Sequence, residues 1–144
     1  MISIRQQTKV QNKLISRIRS YTNKLLKELN ILDKKVTVIF VDNNFITNLN
    51  KIYFNKNKPT NVISFPFNEE DELGEVYISL DVAKYEADEW EVSLFYEIMY
   101  LIIHGILHLL GYDHTVSERD DAIMCEKEIE LVEKIGLKKW KKLE

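Results

Sequence analysis

The chain has 144 residues, which suits one domain with a core of ordinary size. It contains no run of roughly eighteen apolar residues that could span a membrane, and residues 1–9 lack the pattern of a secretory signal. A single cysteine, Cys125, leaves no internal disulfide bond and fits a reducing cytosol, so we expect a cytoplasmic protein without a membrane partner. We expect Cys125 to be a small buried residue on a helix.

The net charge of −3 hides a segregation of charge along the chain. Residues 1–60 carry 12 lysines and arginines against three acidic residues, whereas residues 61–144 carry 8 against 20. Such a distribution offers a basic surface to a polyanion. An ordinary solvated lysine-rich surface would give the same counts, so composition alone leaves both explanations open.

The first part of the chain predicts a strand, a helix, a strand and a helix. Residues 1–5 alternate apolar and polar, as an edge strand does, and residues 9–29 carry an apolar stripe with a basic complement. Residues 36–41 are β-branched and apolar enough for a central strand. Residues 43–54 predict a second helix, capped by Asp42 or Asn43. Its expected apolar positions are Phe45, Ile46, Leu49, Ile52 and Tyr53.

The rest of the chain alternates strands and helices. Strands are predicted at residues 61–65 and 74–79, with an acidic loop at 68–73, and helices at 80–87 and 91–110. A last helix opens at Val116 or Ser117 and ends at Gly136. Its expected core stripe is Ile123, Met124, Ile129, Val132 and Ile135. This order indicates an α+β or α/β domain with a small mixed sheet.

All three histidines of the chain lie close together, at His104, His108 and His114. The first two are four residues apart in the predicted helix 91–110, which places both imidazoles on one face. Gly111 is a typical helix stop, after which the chain can turn back and bring His114 to the same point. Three converging imidazoles predict one zinc ion per chain with a fourth position open to water, as in catalytic zinc sites.

The spacing of the histidines matches the metzincin peptidase pattern H-E-x-x-H-x-x-G-x-x-H, except at the glutamate. Gly105 stands where the pattern has this glutamate, which is the general base of peptide hydrolysis. A metal-dependent peptidase or amide hydrolase therefore stays as an alternative function. A glycine at position 105 has two explanations. It either keeps the open face of the metal clear or allows tight packing of the helix.

Residues 104–114 resemble the signature H-G-x-L-H-L-x-G-Y-D-H of the YbeY family, bacterial endoribonucleases specific for single strands. A second family block, N-x-x-Y-R-x-K-D-x-P-T-[DN]-V-L-S-F-P, is similar to residues 50–66. The resemblance extends from about Val36 to the end of the chain.

The resemblance implies an α+β fold in which a small mixed sheet of four strands, one antiparallel, packs with about five helices. It places a zincin-like metal site on the central helix and one hydrolase domain over residues 1–144. The implied activity is zinc-dependent cleavage of single-stranded RNA, in maturation of the 16S ribosomal RNA 3′ end and in ribosome quality control. The small subunit and its assembly factors are the implied partners. A weakly active RNA-binding assembly factor is a further alternative.

Zinc held by three histidines lowers the pKa of its bound water to about 7 and polarises an oxygen of the group under attack. The zinc-bound water is thus the expected nucleophile, which requires no protein base and fits Gly105. Asp113 is expected either to orient a histidine by accepting its second ring proton or to shape the turn.

Two of the departures from the second family block replace a charged residue. Phe54 stands where the family has an arginine, and Asn57 where it has an aspartate. Arginine can hold a phosphate with two parallel hydrogen bonds, which phenylalanine cannot. We expect Lys51, Lys56 and Lys58 to supply the charge that binds RNA. We expect Phe54 to lie in the core of the second helix, with stacking on an unpaired base as the alternative.

Overall fold

The computed structural model describes residues 1–113 and 117–139, which form four β-strands and five α-helices. In chain order these are β1 (Ile2–Gln6), α1 (Asn12–Glu28), β2 (Lys35–Val41), α2 (Asn43–Phe54), β3 (Val62–Pro66), β4 (Glu72–Ser79), α3 (Leu80–Glu89), α4 (Leu94–Leu109) and α5 (Glu118–Lys134). The expected α+β class is confirmed. His114, Val116 and residues 140–144 lie outside the described residues.

The strands form one mixed sheet in the order β1-β2-β4-β3. β1 and β4 both pair parallel with β2, whereas β3 runs antiparallel to β4. β2 is an inner strand, and its last six residues are all buried. The prediction of a central strand there and of an edge strand at the N-terminus is confirmed. The α1 helix supplies the crossover that the parallel β1–β2 pair requires.

The two faces of the sheet are covered unequally. On one face Val38, Phe40 and Val76 belong to the main core, with residues of α1, α3, α4 and α5. On the other face Ile39 packs with Ile46 of α2 in a smaller cluster. The α4 helix lies in the main core, where 11 of its 16 residues are buried, so any group it carries is held rigidly. None of the described helices is long and apolar enough to cross a bilayer.

Helix ends follow the capping residues. The α4 helix begins at Leu94, later than the predicted residue 91, because the Ser93 hydroxyl accepts a backbone hydrogen bond at 3.0 Å from the first turn. Glu91 has a φ of 56°, which no helical residue adopts. Asp42 caps α2 and Ser117 caps α5, as predicted.

The expected core stripe of α5 is partly wrong. Ile123 and Ile129 are 44% and 60% exposed, and Cys125, predicted to be buried, is exposed as well. The buried positions of this segment are Met124, Glu128, Leu131 and Ile135. They follow helical spacing, so one face does meet the core, but a glutamate occupies part of it.

Candidate active site

The rings of His104 and His108 meet on adjacent turns of α4. Their Nε2 atoms are 3.1 Å apart, and the rings are nearly perpendicular, with centroids at 4.6 Å and planes at 76°. Two nitrogens bound tetrahedrally to one zinc at about 2.0–2.1 Å lie about 3.4 Å from each other. The pair therefore fits a shared cation, and without one a ring N–H can donate to the neighbouring ring.

Glu128 fixes the orientation of His104. Its Oε2 lies 2.8 Å from Nδ1 of His104, and the residue is 3% exposed. Because a carboxylate accepts hydrogen bonds, this contact favours the tautomer of neutral imidazole that carries its proton on Nδ1, and it leaves the lone pair of Nε2 facing His108. This carboxylate–histidine arrangement is typical of metal ligands in proteins.

Tyr100 lies on the same face of α4, one turn before His104. Burial, and then the negative charges of Glu128 and Cys125, raise the pKa of Tyr100 to about 12. Its hydroxyl is therefore protonated at neutral pH. The carboxyl group of Glu128 therefore contacts two groups of α4, the protonated hydroxyl of Tyr100 and the imidazole of His104.

The end of α4 returns the chain toward the histidines. Gly111, with a φ of 99°, donates to the carbonyl of His108, and Tyr112 donates to that of Leu107. These are the two hydrogen bonds of a Schellman motif, which confirms the predicted helix stop. Asp113 then lines the same groove as His104 and His108.

The third predicted ligand, His114, lies outside the described residues. Within residues 1–113 and 117–139, no group of three or more His, Cys, Asp or Glu side chains is placed to hold a metal ion. This part of the chain contributes two imidazoles, one of them oriented by a buried carboxylate. Imidazole donors of this kind suit zinc.

Gly105 faces the sheet. A Cβ at this position would lie 2.6 Å from Cγ1 of Val76 and 3.1 Å from Oγ of Ser64. That hydroxyl also donates to the Gly105 carbonyl at 3.0 Å. Of the two explanations for this glycine, the structure supports tight helix packing.

Replacing Gly105 with alanine should lower the free energy of unfolding by about 1–2 kcal/mol, because overpacking of the core outweighs the better helix propensity of alanine. Denaturant unfolding measures the effect. Val76→Ala in the same chain removes the obstructing methyl group. The double variant should then be more stable than the sum of the single effects predicts, and strict additivity would contradict the packing explanation.

The histidine pair lines an open groove of about 700 Å³. This volume is sufficient for a small ligand. It runs between α2, the loop after it and β3. Lys56 lines this groove, whereas Lys51 and Lys58 are exposed outside it. The buried amide of Asn50 donates to the carbonyl of Lys58 at 2.9 Å and so holds the loop against the helix.

Phe54 does not lie in the core, and that prediction was wrong. It is 52% exposed and lines the groove together with His104 and His108. Asn55 adopts a φ of 56° and ends α2 directly after Phe54. Ile52 and Tyr53, two of the expected apolar positions of this helix, are 73% and 60% exposed.

Sequence reasoning missed Glu128 as a site residue. It is 24 residues from His104 in the chain and belongs to a different helix. The one signal available was a glutamate at helical spacing between Met124 and Leu131, within an apolar face.

Comparison with known proteins gives a consistent result. The family described as Endoribonuclease YbeY matches residues 1–136. Proteins named endoribonuclease YbeY include one from Sulfurihydrogenibium sp. (strain YO3AOP1), 40% identical over 126 residues, covering 82% of this chain and 81% of the relative. One from Acholeplasma laidlawii is 46% identical over 109 residues, covering 74% and 79%. A solution structure from Thermotoga maritima has a TM-score of 0.70 and 34% identity, covering 94% of this chain and 89% of that one.

Proposed function

The chain belongs to the endoribonuclease YbeY family, and from this membership we propose that it is a zinc-dependent endoribonuclease that cuts single-stranded RNA. The observation that carries the metal assignment is the 3.1 Å approach of the two Nε2 atoms, with His104 held by a buried carboxylate.

We propose His104, His108 and His114 as the ligands of one zinc ion per chain. When bound, zinc supplies an acidified water and polarises a phosphoryl oxygen. Glu128 holds the Nδ1 proton of His104 and so keeps Nε2 available as a ligand. Asp113 lines the groove and directly precedes the proposed third ligand in the sequence, and we propose that it orients a histidine by accepting its second ring proton.

The RNA strand is proposed to enter along the groove. Lys56 lines it and can attract a phosphate toward the histidines. The exposed ammonium groups of Lys51 and Lys58 add positive charge beside it. No guanidinium stands at position 54, so this attraction lacks the fork geometry that arginine offers.

Residues 1–144 are proposed to act as one metal-dependent hydrolase domain. The proposed substrate is the 3′ end of precursor 16S ribosomal RNA, with further action in ribosome quality control. Such a substrate makes the small subunit and its assembly factors the partners, and the cytoplasm the place of action.

The test is an incubation of zinc-loaded protein with end-labelled single-stranded RNA, the same RNA in a duplex, and casein. We expect cleavage of the single strand, an intact duplex and intact casein. Removing the metal with a chelator should abolish cleavage, and adding zinc should restore it. A transcript with the precursor 3′ end of the small-subunit RNA should be cut in its unpaired part.

Other outcomes would select the alternatives. Digestion of casein with intact RNA would indicate a peptidase or amide hydrolase. Binding of RNA without cleavage, at full zinc occupancy, would indicate an assembly factor.

A further inference from the structure

Three consecutive large apolar side chains are exposed at the end of α2. Ile52, Tyr53 and Phe54 are 73%, 60% and 52% exposed. Single exposed apolar residues are ordinary, but a contiguous group beside a polar groove indicates a contact surface.

The two aromatic residues of this group differ in their surroundings. The ring of Tyr53 meets Phe65 edge to face at 4.8 Å, and Phe65 in turn meets Tyr77 at 5.7 Å. Among the described residues, the ring of Phe54 is part of no such pair. Roughly 100 Å² of its surface therefore faces the groove or solvent.

The backbone holds Phe54 at the groove. Asn55, in the left-handed conformation, donates to the carbonyl of Lys51, and Lys56 donates to that of Asn50 at 3.3 Å. These hydrogen bonds fix the last turn of α2, which carries Phe54. The ring and Lys56 line the same groove as the histidine pair.

We propose that Phe54 is a stacking platform for one unpaired nucleobase of the RNA strand, a role that rests on the proposed function. A nucleobase suits this surface because its flat π-face covers an aromatic ring while its phosphates meet the lysines beside it. The base would belong to a nucleotide close to the phosphate that lies at His104 and His108. Bases inside a duplex are already stacked on their neighbours, so the platform favours single strands.

The role also explains the departure at position 54. Where the family's block places a guanidinium, this chain has a ring that can bind the adjacent base instead of the phosphate. Lys56 then supplies the positive charge that attracts the phosphate. Stacking on Phe54 sets which nucleotide of the RNA strand lies at the histidines.

The test measures binding separately from cleavage. Zinc-loaded protein is titrated into a fluorescent single-stranded RNA whose phosphorothioate, 2′-O-methyl linkages resist hydrolysis. Phe54→Ala should weaken binding about tenfold, within the range for loss of one stacked base. Phe54→Trp should retain affinity, and RNA should quench its tryptophan emission more than that of the wild-type protein, whose sequence contains two tryptophans. Ile52→Ala, on the same helix and more exposed but outside the groove lining, serves as the control and should change affinity less than twofold.

Abasic nucleotides identify the stacked base. One abasic position should weaken the wild-type protein about tenfold and leave Phe54→Ala unaffected, since the variant has already lost that contact. Equal losses in both proteins, or wild-type affinity in Phe54→Ala, would overturn the platform while leaving RNA cleavage intact. A wild-type protein that neither binds nor cuts RNA would overturn the proposed function and the platform together.

Discussion

Replacing His104 or His108 with alanine should abolish stoichiometric zinc binding by the purified protein. Each variant removes one of two nitrogens whose 3.1 Å separation fits a common ion. Loss of one ligand from a three-histidine site leaves too few donors for tight binding. Metal analysis after dialysis against trace zinc gives the result as ions per chain. On the sequence pattern, His114→Ala should have the same effect.

A substitution of Glu128 should weaken zinc binding rather than abolish it. Glu128→Gln keeps the size of the side chain but can no longer accept with a full negative charge, so zinc affinity should fall about 10- to 100-fold. Glu126→Gln, two residues away and exposed, is the matched control and should bind zinc normally. One zinc per chain in the His104→Ala, His108→Ala double variant would show that the metal lies elsewhere.

The helices and strands were predictable because local rules decide them. Gly111 ends α4 through backbone hydrogen bonds that span six residues. The side chain of Asp42 caps α2 by accepting a hydrogen bond from the backbone of Phe45, in the first turn. The central place of β2 follows from a run of β-branched residues that needs cover on both faces. Each of these features depends on residues adjacent in the chain.

The partner of His104 was not predictable in this way. Glu128 comes from α5, and its contact depends on how two helices pack. A pattern search that places apolar residues inside excludes a buried glutamate, and it selected Ile129, which is 60% exposed, instead. Phe54 shows the opposite error, because an apolar pattern predicts core for a residue at a helix end that is exposed. Both errors fall at the proposed site, where chemistry rather than burial explains the residue type.

A second buried carboxyl, Glu97, should make the protein less stable above neutral pH. It lies in the first turns of α4 and is 7% exposed. Burial, followed by the charge of Glu86 and a hydrogen bond to it, raises the pKa of Glu97 from 4.5 to about 7. Within the described residues, Oε1 of Glu86 is buried and accepts no hydrogen bond. A protonated Glu97 can donate a hydrogen bond to the Glu86 carboxylate.

The direction of the effect follows from the raised pKa. Between pH 4.5 and about 7 the unfolded chain releases the proton of this carboxyl while the folded chain keeps it. The unfolded state then binds fewer protons, so the contribution of Glu97 to the free energy of unfolding falls as the pH rises. The loss begins near pH 4.5 and is complete above about pH 7.

Glu97→Gln should therefore raise the free energy of unfolding at pH 8 by about 2–3 kcal/mol, because glutamine is uncharged and its amide can still donate to Glu86. At pH 4.5 the two proteins should be nearly equal in stability, since glutamate is then neutral in the fold. Urea unfolding of both proteins at several pH values gives the difference directly, and contributions from groups that do not interact with Glu97 cancel. Glu89→Gln, an exposed change on α3, should leave the profile unaltered. A variant less stable than wild type at pH 8 would mean that Glu97 is ionised and paired in the folded protein.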